Sequence, residues 1–424
     1  MESRTHDVII VGASAAGCAA AIMYARAGLH VALFERRKNI DASKNFCTHF
    51  IQSSAKPTLD RLGLTHALEE EGAVRNSVRM WTRWGWIRES GKRHADEAAC
   101  GYSIRRKRLD PILREAALST PGVEAWLGCP VKALLRKAGR ITGVRADECG
   151  VPVEARAPLV VGADGMNSRV AQFTEVDARV YPNNRIGYFS YYRGVVMKTG
   201  TESQMWFLDP DCAYAFPNED DITVLAWLPT RDSPLHLGER PDHDLRQIFS
   251  RLPDAPDLSA AQPLGKPIVA KRLVSHNRTP LEDGVALIGD AGMVTDPLWG
   301  SGLSFAFQSA EWLVDATRVA LKKGLDPMPG VMAYRQHHGD RLSGYEHHMV
   351  DYAQGRRFKL LERLFYAAAT RDPVVADSLL AYGARNITKR ELFTPDLFFR
   401  ILRAGIGAPT VSGDLMNGIT SRRS

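Results

Sequence analysis

Asp7-Val8-Ile9-Ile10-Val11-Gly12-Ala13-Ser14-Ala15-Ala16-Gly17 reads as a buried strand that turns sharply into a helix. Helical composition runs on from Cys18 to Ala27, and Val31-Ala32-Leu33-Phe34 forms a second strand ending in Glu35. This is a βαβ unit, the seed of a parallel sheet. Gly12 permits the tight turn out of the strand, and Gly17 lets the helix sit close to the sheet. Ser14 takes the place of the middle glycine of the dinucleotide fingerprint, where a pyrophosphate approaches the backbone; a small side chain can fit there. Glu35, 23 residues after Gly12, is placed to accept hydrogen bonds from ribose hydroxyls, which favours an adenosine with a free 2′-hydroxyl. The 18 uncharged residues from Val8 to Ala25 do not read as a signal peptide or membrane span, because Gly12, Ser14 and Gly17 interrupt them and the second strand follows at the right distance.

A second loop has the same grammar. Val285-Ala286-Leu287-Ile288-Gly289-Asp290-Ala291-Gly292 delivers an acidic residue to the end of a short apolar strand. Asp296-Pro297-Leu298-Trp299-Gly300-Ser301-Gly302 then opens a helix near Leu303. Such a helix start offers unpaired N–H groups and a positive dipole end to an electron-rich ligand. A third acidic turn, Gly162-Ala163-Asp164-Gly165, follows the strand Leu159-Val160-Val161 and opens a helix whose cap and surface charge are Asp164 and Arg169 on the plainest reading.

Composition sets wide bounds. With 424 residues, 45% apolar and 24% charged, the chain has room for two or three domains of an ordinary soluble kind. The net charge of +7 is spread along the chain, which suits an anionic cofactor or substrate; no nucleic-acid module appears. Six dispersed cysteines without a C-x-x-C pair support neither a zinc site nor a disulfide framework, so a reducing cytoplasm is the default. His337, His338, His347 and His348 lack the i, i+4 spacing of a helical zinc motif, and no metal is expected.

The fold class is α/β: a Rossmann-like domain with a parallel sheet spans 1–177 and resumes at 276–325. Residues 178–275 form an inserted antiparallel sheet domain, with strands around 186–192, 204–208, 214–216 and 222–228. A helical region fills 326–424. Val123 to Trp126, 131–136 and 143–146 alternate in the manner of a meander, and a helix is expected from Leu109 to Ser119.

In order and spacing, Gly12-x4-Gly17 with Glu35, Arg106 before Arg108-Leu109-Asp110, Gly162-Ala163-Asp164-Gly165, and Gly289-Asp290 with Pro297-x-x-Gly300-x-Gly302 resemble the FAD-dependent monooxygenases of the aromatic-hydroxylase type. Flavin halogenases and geranylgeranyl reductases share that fold. The resemblance covers about residues 5–325 and implies FAD as cofactor. It places Gly12, Ser14, Ala15, Ala16, Gly17, Glu35, Arg36, Arg106 and Asp164 at the adenosine and pyrophosphate. Gly289, Asp290, Gly300, Ser301, Gly302 and Leu303 would lie along the ribityl chain and ring, where N–H groups stabilise charge on the N1–C2=O side.

The activity implied is insertion of one oxygen atom from O2 into a hydrophobic aromatic or unsaturated metabolite through a flavin C4a-hydroperoxide. NAD(P)H binding transiently between the domains, or reduced flavin from a partner reductase, would supply the electrons. Tyr188, Tyr191, Tyr192, Trp206, Tyr214, Phe216 and Trp227 of the inserted sheet would roof the ring. Pro297, Trp299, Gly300, Cys47 and His49 are the candidates closest to the chemistry; similar reductases place a cysteine near Cys47 against the flavin. An alkene reductase of the geranylgeranyl type is therefore the alternative activity, and a halogenase a more distant one, since Trp84-Gly85-Trp86-Ile87-Arg88 echoes a halogenase signature but comes too early in the chain. The amphipathic segment 356–369 is expected to pack on the flavin domain rather than on a membrane.

Overall fold

Five strands pair in parallel in the order Val285–Leu287, Val160–Gly162, Val8–Val11, Val31–Glu35 and Val123–Leu127. The computed structural model describes residues 3–90 and 100–411; positions 1–2, 91–99 and 412–424 of the segments assigned above lie outside the described residues. All strands but the outermost, 123–127, are buried throughout, which is why they read as unbroken apolar runs. Helix α1 (Ala15–Arg26) crosses between Val8–Val11 and Val31–Glu35, and α2 (Arg106–Leu118) leads into 123–127. Helix α3 (Gly302–Lys322) follows the last strand and packs beside α1, where Tyr24 Oη meets Thr317 Oγ1 at 2.6 Å.

Two expectations are corrected here. Val123 to Trp126 is not part of a meander: it enters after a helix, runs parallel to Val31–Glu35, and stacks Trp126 on Phe34 at 4.6 Å. The antiparallel ladder instead joins Val131–Lys137, Arg140–Glu148 and Val151–Arg156. Helix α2 also starts at Arg106 rather than Leu109, which places Arg106 in its first turn.

The second sheet has eight strands and draws on more of the chain than 178–275. Gly187–Arg193, Ile222–Leu228, Cys212–Pro217 and Ser203–Phe207 are its antiparallel centre. The hairpin Val78–Thr82 with Gly85–Ile87, from within 1–177, then pairs in parallel with Ser203–Phe207. The sheet's two faces part its aromatics by strand alternation. Tyr188, Tyr192, Trp206 and Trp227 point away from the first domain into a core closed by helix Pro241–Phe249, so they roof nothing. Tyr191, Tyr214 and Phe216 face the loops.

Beyond α3 come α4 (Met328–Ala353), α5 (Leu360–Ala369), α6 (Pro373–Gly383) and α7 (Pro395–Gly405). They share one apolar core with the loop-facing side of the sheet, in which Phe207, Trp299, Tyr352, Phe358 and Leu379 pack together. Burying each such side chain contributes roughly 1.5–3 kcal/mol, so the C-terminal helices are integral to the second sheet. Among the described residues no helix is long and apolar enough to cross a membrane, and no three His, Cys, Asp or Glu side chains gather as a metal site.

Candidate active site

The first loop is shaped by sterics. Gly12 has φ +107, and a Cβ on it would lie 2.5 Å from Ala163 O; a Cβ on Gly17 would lie 1.8 Å from Gly12 O. The first helical bond of α1 is Cys18 N–H to Ser14 O at 2.8 Å, so the N–H groups of Ala15, Ala16 and Gly17 precede it and stay available. Glu35 Oε2 accepts from Ala13 N–H and Oε1 from Arg37 N–H, both at 2.9 Å, which holds the carboxylate under the turn. Arg36 is exposed and makes no hydrogen bond or ion pair among the described residues.

Helix α2 supplies two of the cations. Arg106 is buried; its Nε donates to Asp110 Oδ1 at 2.7 Å and its Nη2 to Ser14 Oγ at 2.6 Å. The serine in place of the middle glycine is thus an anchor for Arg106 at the start of α1. Two further residues belong here that the sequence reading passed over. Arg114 donates from Nε to Ala13 O at 2.9 Å and from Nη1 to Ile40 O. Lys44 donates from its main chain to Asp110 Oδ2 at 3.1 Å and from Nζ to Asp290 Oδ2 at 2.8 Å. A signal for Arg114 was present, since Arg106, Asp110 and Arg114 fall at i, i+4 and i+8 on one helix face; Lys44 had none.

His49 sits beside Arg106 with φ +59 and is 2% exposed. Its Nδ1 lies 3.0 Å from the Arg106 N–H, which can only donate, so the ring proton resides on Nε2 and is given to Tyr191 Oη at 2.6 Å. Tyr191 in turn donates to Asn45 O at 3.2 Å, and Cys47 Sγ accepts from His49 N–H at 3.3 Å. Burial first, and the Arg106 charge second, push the His49 pKa down to about 3 from its ordinary 6.5. Unfolding therefore takes up a proton below pH 6.5. The stability His49 contributes as a neutral group is complete above that pH and is lost as pH falls toward 3, at up to about 1.4 kcal/mol per pH unit. Urea unfolding across this window is expected to show a shallower pH slope for His49→Asn, which tolerates the positive φ; an unchanged slope would contradict this.

The second loop meets the first. Gly289 has φ +56, and a Cβ on it would lie 2.9 Å from Ala16 Cβ, so the turn carrying Asp290 abuts the start of α1. Buried Asp296 accepts from Leu298 N–H at 3.0 Å and from Asn183 at 2.5 Å, shaping the turn Pro297–Trp299. Gly300 has φ +61 and packs where a Cβ would be 3.1 Å from Phe50. The first bond of α3 is Phe305 N–H to Ser301 O at 3.0 Å, which leaves Gly302, Leu303 and Ser304 N–H ahead of it. Around Gly302 a Cβ would meet nothing within 4 Å, so this helix start faces open space. Trp299 is buried against Phe207 at 4.9 Å, and Gln52 Nε2 donates to its carbonyl at 2.8 Å. Asp164 stands apart: its oxygens accept from Ser168 Oγ at 2.5 Å and from Arg169 and Val170 N–H, the cap arrangement, with its Cα against Gly12.

Two helix starts, an acid beneath one turn and an acid at the other, three cations and an open cradle at Gly302 meet at the carboxyl ends of the parallel strands, where such sheets take their ligands. The donors suit a pyrophosphate, and the carboxylates suit ribose and ribityl hydroxyls; FAD carries all of these. Asp290→Ala removes one acceptor and leaves Lys44 without its partner. It is expected to weaken FAD binding about tenfold to a hundredfold, from about 1.5–3 kcal/mol for a charge-assisted hydrogen bond. Flavin content after gel filtration measures this, and full retention would remove Asp290 from the site.

Comparison with known proteins agrees with this geometry. The model of the FAD binding domain family matches residues 5–322. The chain is 27% identical over 348 residues to the digeranylgeranylglycerophospholipid reductase of Methanothrix thermoacetophila, covering 78% of this chain and 82% of the relative. It is 27% identical over 412 residues to the kynurenine 3-monooxygenase of Salinispora arenicola, covering 90% and 86%. In fold it is similar to the flavin-dependent brominase Bmp2, with a TM-score of 0.75 at 19% identity over 94% of this chain and 98% of that one. The chain belongs to the FAD binding domain family and is an FAD-dependent oxidoreductase.

Proposed function

We propose that this enzyme is a monooxygenase that hydroxylates or epoxidises a hydrophobic aromatic or unsaturated metabolite, using O2 and electrons from NAD(P)H or from a flavin reductase. The observation that carries this reading is a cavity of about 300 Å³ beside the Gly300 loop, whose apolar wall is Phe50, Met80, Met205, Trp299, Leu379 and Leu380. Bound FAD supplies two-electron chemistry and, when reduced, activation of O2. The chain's residues do the rest. Phe50 and Trp299 flank Gly300, so an apolar substrate held there lies against the loop that would run along the ring. Leu379 and Leu380 of α6 form the cavity's far side. Gln52 fixes the Trp299 carbonyl and the Gly383 carbonyl together, at 2.8 and 3.0 Å, and so ties α6 to the loop. Cys47 and His49 serve this site by holding the 44–50 segment against Tyr191. The alignment with the kynurenine 3-monooxygenase includes the C-terminal helices that build this wall, which supports the same reading.

An alkene reductase is the second reading, favoured by the similarity to the digeranylgeranylglycerophospholipid reductase and by Cys47 in the segment beside Arg106. One experiment separates them. The FAD-loaded protein is given NADH, NADPH or reduced flavin with aromatic and polyprenyl compounds under isotopically labelled dioxygen. A product carrying one labelled oxygen is expected. A product that gains two hydrogens, formed equally well without dioxygen, would replace the monooxygenase by the reductase.

A further inference from the structure

The C-terminal helices carry no motif, yet they place one charge where the flavin loop begins. Arg385 follows α6 and is 4% exposed. Its Nη1 donates to Ser301 O at 3.3 Å, its Nη2 to Ser54 Oγ at 3.1 Å, and its guanidinium lies 4.1 Å from the centre of the Phe305 ring. Nε has no hydrogen-bond partner, and among the described residues Arg385 forms no ion pair with a carboxylate. Burying an arginine without a counter-ion is costly. A second cost accompanies it: Arg385 has φ +62, the left-handed position after a helix that glycine fills without strain. Burial pushes its pKa down to about 9, which leaves it cationic at neutral pH. The buried charge is met only by two neutral oxygens and a ring face, so a negative charge brought near it would be stabilised.

The contact to Ser301 shows where. Ser301 O belongs to the peptide whose N–H is that of Gly302, the donor at the open start of α3. A cation bound at the oxygen of a peptide polarises its N–H toward stronger donation. We propose that Arg385 stabilises the reduced, anionic state of bound FAD, acting through the Ser301–Gly302 peptide and the start of α3. This rests on the site reading above, in which that helix start faces the ring. The electrons balance simply: a hydride from NAD(P)H brings two electrons and one proton, NAD(P)+ leaves, and the flavin retains one negative charge. Arg385 is then a positioning residue, since it acts through the peptide rather than touching substrate.

The test is the two-electron midpoint potential of bound FAD in wild type, Arg385→Met, Arg385→Gln and Arg385→Lys, read by reductive titration against a reference dye. Loss of the charge is expected to cut the preference for reduced over oxidised FAD about tenfold, a fall of about 30 mV. Arg385→Lys is expected to restore most of it. A methionine or glutamine variant that binds FAD with the wild-type potential overturns the inference. So does failure of all three variants to fold, which would assign Arg385 to folding alone. A wild-type protein that binds no FAD would instead sink the site reading itself, a separate outcome.

Discussion

Arg106→Ala is expected to destabilise the protein by about 3–5 kcal/mol and to abolish FAD retention, the range that follows when one member of a buried ion pair is removed. Asp110 is 1% exposed and takes its charge-assisted bond from Arg106; without it the carboxylate keeps only the Lys44 N–H at 3.1 Å. Ser14 loses its partner at the same time, so the cationic wall beside α1 collapses with the ion pair. Arg106→Lys cannot span both partners, because an ammonium lacks the planar fork that reaches Asp110 and Ser14 together. The two losses can be separated. Arg106→Met combined with Asp110→Leu is expected to recover much of the stability in urea unfolding while still failing to hold FAD. If the double variant regains the cofactor, Arg106 serves the fold and not the site.

Gly17→Val is expected to yield a colourless protein with a thermal midpoint well below wild type. The first side-chain carbon would stand 1.8 Å from Gly12 O and 3.3 Å from Ala163 Cβ, so α1 must move off the sheet before the residue fits. Overpacking of this kind costs about 3 kcal/mol, and here the displaced element is the helix whose free N–H groups would meet a pyrophosphate. Gly17→Ala meets the same oxygen and is expected to lose nearly as much. The comparison with Gly302→Ala is instructive, because a Cβ there meets nothing within 4 Å. That variant is expected to fold normally and to alter only the flavin. Thermal unfolding with the flavin-to-protein absorbance ratio distinguishes the two, and equal behaviour of Gly17 and Gly302 variants would refute the steric account.

By itself the sequence determined most of the parallel sheet, the two glycine turns, their acids and the helical C-terminal quarter. Those features depend on backbone sterics within a few residues: a buried strand, a positive-φ turn and a helix start can be read where they stand. What lay beyond it were several choices made between distant segments. Val123 to Trp126 alternates like its neighbours, and only the helix before it and the stacking on Phe34 sent it to the parallel sheet. The aromatics of the inserted sheet were legible as strand residues, but which face meets the loops depends on pairing with 78–87 and on the helix at 241–249. Lys44 reaches Asp290 across 246 residues and Arg385 reaches Ser301 across 84, with no periodicity to announce either. Local conformation is written in neighbours; the electrostatics of a buried site come from residues that only folding brings within a few ångströms, and tertiary structure alone decided them.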